Sequence, residues 1–280
     1  MSQPLGSWID GVPAASLPAD DRGLHYGDGV FETVLIRAGR ARFLDAHLSR
    51  LTLGCSRLAI APIPLNALRA EIDAAVAMAL EMAPPLAILK IIVTRGSARR
   101  RGYAPQGDEL PRRIVSLWPA PARDAALDEG VDLRVASIRL GENPALAGIK
   151  HLNRLENVLA AAEPGAREVF DSLLLDASGN LVSGAMSNVF IVRAGRVITP
   201  LIQRCGVAGV MRGIVLRECA ALGIATAEAR LTLDDLFAAA EAFVTNARVG
   251  VVPVRRVGEH SFDMNTLARR LAAHIEPLDA

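Results

Sequence analysis

Leu86-Ala87-Ile88-Leu89-Lys90-Ile91-Ile92-Val93-Thr94-Arg95 is apolar at almost every position and is bracketed by Pro84-Pro85 and Gly96. The run is too short to cross a bilayer and rich in β-branched residues, so it predicts an interior strand covered on both faces. Two helical patterns stand before it and can supply cover. Leu44, His47, Leu48, Leu51 and Leu58 share one face of a helix that Pro62 and Pro64 end, and a second helix spans 65–82. Strands are expected at 8–11, at 30–37 with a turn at Ala38-Gly39-Arg40, and at 114–118. Helices alternating with strands make the fold class α/β (α+β).

Pro119-Ala120-Pro121-Ala122-Arg123-Asp124 has the composition of a linker. The expected division is therefore a smaller N-terminal α/β domain at 1–118, a linker at 119–125 and a larger domain at 126–280. In the second part, 131–138 returns to strand pattern. Leu152, Leu155, Val158, Leu159 and Ala162 then recur at helical spacing, which sets Lys150 at a strand-to-helix junction. Ser172 to Asp176 begins a meander continuing through Val189-Phe190-Ile191-Val192 and Val197-Ile198-Thr199. Gly206-Val207-Ala208-Gly209-Val210 opens a helix, 243–247 and 251–257 read as strands, and a last helix spans 264–275.

A net charge of +1 gives no polyanion-binding surface, so nucleic acid is not an expected partner. Met1 to Gly6 lacks a basic region followed by an apolar core, and no apolar run has membrane-spanning length, so the expected location is cytoplasmic, without a membrane partner. Cys55, Cys205 and Cys219 are scattered, without ligand spacing, and read as buried thiols; no metal is expected.

The basic residues carry the first chemical signal. Lys and Arg total 31, yet lysine occurs only at Lys90 and Lys150. A guanidinium stays protonated, whereas an amine can lose its proton and attack a carbonyl. Any nucleophilic amine must be one of these two. Arg95-Gly96-Ser97-Ala98-Arg99-Arg100-Arg101-Gly102-Tyr103 would suit a carboxylate or phosphate and, read alone, is equally a solvated basic loop. Gly206 to Val210 could present free backbone N–H groups to an anion, or simply enter a helix.

Three stretches narrow these alternatives: Tyr26-Gly27-Asp28-Gly29-Val30-Phe31-Glu32-Thr33, Gly148-Ile149-Lys150-His151-Leu152-Asn153-Arg154-Leu155-Glu156 and Gly206-Val207-Ala208-Gly209-Val210-Met211-Arg212. In this order they resemble the fold-type IV, class IV aminotransferase-like, pyridoxal phosphate family, and the resemblance spans essentially the whole chain. Within it, residues 140–156 are closest to the lyase branch, which releases pyruvate and leaves an aromatic amine. The resemblance implies two α/β domains, pyridoxal 5'-phosphate as cofactor, a small-molecule substrate and a homodimer. It makes Lys150 the cofactor lysine and proton carrier. Arg50, Gly209, Val210, Asn246 and Ala247 become phosphate-binding, Asn188 and Ser183 cofactor-contacting, Thr33 a catalytic hydroxyl, and Tyr26, Arg101 and Tyr103 substrate-binding. One departure stands out. The family's pyridine-contacting glutamate lies five residues before the Asn of an Asn-aliphatic-Phe motif, here Asn188-Val189-Phe190, and that position is Ser183. A hydroxyl cannot hold the ring nitrogen protonated as a carboxylate does, which favours elimination over transamination. An aminotransferase for branched-chain or D-amino acids and a non-catalytic cofactor-binding homologue are the competing readings.

Overall fold

The computed structural model describes residues 3–14, 16–84, 86–98, 100, 102–262 and 266–278. The described residues form two compact units, one running to Ala122 and including Ile149–Asn153, the other of Arg123–Gly148 with Arg154–Leu278. They part between Ala122 and Arg123. The lysine segment differs from the expected division: Lys150 packs with the N-terminal unit, because its backbone bonds to a strand there.

The first unit contains β1 (Gly6–Ile9), β2 (Val12–Pro13), α1 (Arg22–Tyr26), β3 (Gly29–Arg37), β4 (Arg40–Ala41), α2 (Leu44–Arg57), α3 (Leu65–Met82), β5 (Leu86–Thr94) and β6 (Arg112–Ala120). Its antiparallel sheet has the order β2-β1-β6-β5-β3-β4, so the apolar run is interior. One sheet face carries Val30, Val34, Leu89, Ile91, Val93, Val115 and Leu117 against Leu48, Leu51, Leu68, Ile72 and Ala75 of the two helices. The other face is half-buried, with Phe31, Thr33, Ile88, Lys90 and Ile92. The expectation of cover on both faces is thus corrected within this unit: β5 alternates, and both long helices pack on one side.

The second unit contains β7 (Val131–Leu140), α4 (Leu155–Ala162), β8 (Asp171–Asp176), β9 (Leu181–Gly184), β10 (Asn188–Arg193), β11 (Arg196–Pro200), α5 (Val210–Ala221), β12 (Thr226–Ala229), α6 (Leu233–Phe237), β13 (Glu241–Asn246), β14 (Gly250–Val257), β15 (His260–Ser261) and α7 (Thr266–Ile275). Its sheet runs β12-β11-β10-β13-β14-β7-β8-β9, with β15 on β14. Leu133, Leu173, Leu181, Val189, Ile191, Val244 and Val252 fill one core. Phe190 and Phe243 stack with centroids 4.8 Å apart at a paired position of β10 and β13. The expected meander is interrupted. β9 pairs with β8 and β10 with β11 and β13, because Gly184 to Ser187 turns the chain about the buried Asp171 carboxylate. Met264, the expected start of the last helix, lies outside the described residues. Among the described residues no helix is long and apolar enough to cross a membrane.

Candidate functional site

Lys150 does not stand at a strand-to-helix junction. It lies in an extended segment five residues before α4. Phe31 N donates to Lys150 O (2.9 Å), Leu152 N to Gly29 O (3.0 Å), and His151 bridges Val30. The segment therefore continues the ladder at the start of β3. Asn153 Nδ2 donates to Gly27 O (3.0 Å), and this close approach explains the glycine: an added Cβ at Gly27 would lie 2.7 Å from Asn153 Oδ1, at φ +63°. Much of the Tyr26 to Thr33 stretch is thus scaffold for the lysine.

Both amines of the chain meet here. Lys150 Nζ is 4.4 Å and Lys90 Nζ 3.9 Å from the centroid of the Phe31 ring. Lys90 pairs across the sheet with Thr33, so Phe31, Thr33 and both lysines form one cluster in the first unit. Burial pulls the Lys90 amine below the ordinary lysine range. Lys90 is a residue that reading its strand as a structural run misses. The signal was the rarity of lysine itself.

Arg50 lies on α2 with its Nε–Nη2 edge on Glu32: Nε to Oε1 2.8 Å and Nη2 to Oε2 2.5 Å. Glu32 is fully buried and also meets His47 Nδ1 at 2.6 Å. Burial pushes the Glu32 carboxyl up, but the bonds and charges of Arg50 and His47 prevail and hold it below the usual range. Glu32 was legible as a carboxylate among the core-facing positions Val30, Val34 and Ile36, and its role was not read.

In the second unit, Asn188 opens β10. Its Nδ2 donates to Val207 O at 2.9 Å, and an added Cβ at Gly209 would lie 2.0 Å from its Oδ1. Gly209 is the N-cap of α5 and makes no side-chain cap, so the helix entry presents backbone donors. Asn188 pairs with Thr245, next to Asn246 and Ala247. Asn246 Oδ1 accepts from Arg248 N (3.0 Å) and Val249 N (3.1 Å), fixing that turn. Asn188, Gly209, Val210, Asn246 and Ala247 thus belong to linked strand ends and a helix entry. Ser183 is buried in β9, its Cα paired with that of Leu174. Tyr26 is half-buried with its ring centroid 5.3 Å from that of Tyr103, which is 85% exposed. Arg101 lies outside the described residues.

The sequence profile of the amino-transferase class IV family matches residues 29–257, and the chain belongs to that family. Two similar proteins carry one particular activity in their names. The aminodeoxychorismate lyase of Vibrio harveyi is 36% identical, over 96% of this chain and 98% of its own. The crystal structure of 4-amino-4-deoxychorismate lyase from Pseudomonas aeruginosa aligns with a TM-score of 0.90 at 43% identity, covering 98% of this chain and 100% of that one. A putative branched-chain-amino-acid aminotransferase of Methanocaldococcus jannaschii is 32% identical over 89% of this chain and 85% of its own.

Proposed function

We propose that this chain is a pyridoxal phosphate-dependent lyase that converts 4-amino-4-deoxychorismate to 4-aminobenzoate and pyruvate, a step of folate biosynthesis. The observation that carries the reading is the near-full-length likeness to two lyases, with an amine at Lys150 set against Phe31. The residues fit the cofactor. A lysine amine suits its aldehyde, an uncapped helix entry whose N-cap glycine has no room for a Cβ suits its phosphate, and Arg50 adds a guanidinium oriented by Glu32.

When bound, pyridoxal phosphate supplies a carbonyl carbon for amines and a ring that draws electrons from the substrate carbon bearing nitrogen. Lys150 Nζ would hold the cofactor and, as the amine at the reacting centre, would take the proton from the substrate carbon bearing nitrogen and return a proton to the departing pyruvate. Arg50, the N–H groups of Gly209 and Val210, and Asn246 and Ala247 would hold the phosphate; Asn188 keeps the helix entry in place through its bond to Val207 O. Ser183 would offer the pyridine nitrogen a neutral hydrogen bond in place of a carboxylate. Loss of pyruvate turns a cyclohexadiene aromatic, so elimination demands less of that ring than transamination does. Thr33 would supply a hydroxyl on the sheet face that carries Phe31 and Lys90. Lys90 supplies a cation, and Tyr26, Arg101 and Tyr103 meet the substrate, a dicarboxylate that suits such groups.

A cytoplasmic homodimer belongs to the same reading. Supporting it, Leu155, Val158 and Leu159 form an exposed apolar stripe on α4, with Leu155 75% exposed. The test is to supply 4-amino-4-deoxychorismate and follow pyruvate and 4-aminobenzoate. Equimolar release of both is expected. Rapid conversion of the cofactor to its pyridoxamine form by branched-chain or D-amino acids, with no 4-aminobenzoate, would establish the aminotransferase reading instead.

A further inference from the structure

Residues 102–108 are all exposed, and Leu110 beyond them is 84% exposed, so apolar burial does not fix this loop. What fixes it is a buried cation. Arg22, only 3% exposed, donates from Nη1 to Gly102 O (3.0 Å) and from Nη2 to Tyr103 O (2.6 Å). Its third contact sets its direction: Nε donates to Asp28 Oδ2 at 2.9 Å. Asp28 is held in turn by Arg95, through Nε (2.8 Å) and Nη2 (3.0 Å), and Arg95 is tied to Leu58 O and Ala59 O at the end of α2. The backbone joins the same assembly, with Arg22 N on Gly96 O (2.9 Å) and Arg95 N on Asp28 O (3.0 Å). At the far end of the loop Glu109 accepts from Gln106 N (2.7 Å) and Gly107 N (2.9 Å).

A buried guanidinium is costly unless every direction of its fork is used, and here two directions are spent on consecutive carbonyls of an otherwise solvated loop. The Arg22 Cζ also stands 4.9 Å from the centroid of the Tyr26 ring, which meets the Tyr103 ring. One side chain therefore sets both tyrosines. We propose that Arg22 is a positioning residue that presets the Tyr103 loop, with Tyr26, for the carboxylate-bearing substrate, an inference that rests on the lyase reading for its substrate alone. It acts through Gly102 and Tyr103 and touches no reacting atom. A preset loop spares substrate binding the entropy of ordering it.

Arg22→Lys keeps a charge for Asp28 but cannot fork onto two carbonyls. In the folded variant loaded with pyridoxal phosphate, hydrogen exchange at the Gln106 and Gly107 amides, which Glu109 holds in this loop, rises about tenfold, and KM for 4-amino-4-deoxychorismate rises about tenfold with kcat within about twofold. Unchanged exchange in this loop overturns the clamp. Faster exchange with unchanged KM, or a fall confined to kcat, overturns its role toward substrate. If Arg22→Lys does not fold, Asp28→Asn, which retains Arg22 without its orienting charge, shifts exchange and KM in the same direction by less, and no shift overturns the proposal. A wild type that releases no pyruvate rejects the lyase reading, while loop exchange still decides the clamp.

Discussion

Of the two amines flanking Phe31, the burial-lowered one, Lys90, has a measurable signature. Its amine is protonated below its lowered pKa, so attraction for an anionic substrate is lost as pH rises through a value under the ordinary lysine one. In KM-against-pH profiles, Lys90→Arg moves that weakening to higher pH, and Lys90→Ala raises KM about tenfold below it, the loss expected for one charge-assisted hydrogen bond. Glu32 acts one residue further out. Glu32→Gln leaves Arg50 without its carboxylate partner and weakens pyridoxal phosphate binding by about 1.5–3 kcal/mol, read by titrating cofactor into the cofactor-free protein. The lysine scarcity was legible in the sequence, and so was a carboxylate at a core-facing position. That the two lysines meet was not, because Lys90 and Lys150 come together only through β5 pairing with β3 and the lysine segment pairing with the start of β3.

At the scale of elements, the turn from α1 into β3 is an ion-pair assembly. Burial pushes the Asp28 carboxyl up, but the bonds and charges of Arg95 and Arg22 outweigh it and leave it below the usual value. A carboxylate with a lowered folded pKa adds stability that is present above its unfolded pKa and lost as pH falls through the folded one. Asp28→Asn therefore lowers the melting temperature at neutral pH and narrows its gap to wild type as pH drops below the unfolded carboxylate value; a gap constant with pH would contradict this. Elements with strong local periodicity were legible, β3, β5, α2 and α3 among them. The separation of β9, on β8, from β10, between β11 and β13, was not, since it depends on Asp171 gathering the amides of Ala185 and Met186 with the Ser187 hydroxyl, a non-local arrangement. Nor was the short reach of α4. Its apolar spacing predicted a helix from Leu152, yet the helix begins at Leu155 and leaves Leu155, Val158 and Leu159 exposed.

At the scale of the molecule, that stripe becomes informative. If it is covered by a second copy, Leu155→Glu with Leu159→Glu places charges in the interface, and sedimentation velocity shows a dimer becoming a monomer; an unchanged dimer would put the interface elsewhere. The chain path carries the deeper point. One short excursion, Ile149–Asn153, leaves the second unit, pairs with β3 of the first and returns, and it delivers Lys150. Sequence alone placed that residue in the C-terminal part because separation along the chain hides the pairing. With only two lysines, the assignment of the reacting amine can be read from one experiment. Borohydride reduction of the protein loaded with pyridoxal phosphate, followed by peptide mass mapping, should place the pyridoxyl group on Lys150 at close to one per chain, with Lys90 unmodified. Modification of Lys90, or of neither lysine, would contradict the account.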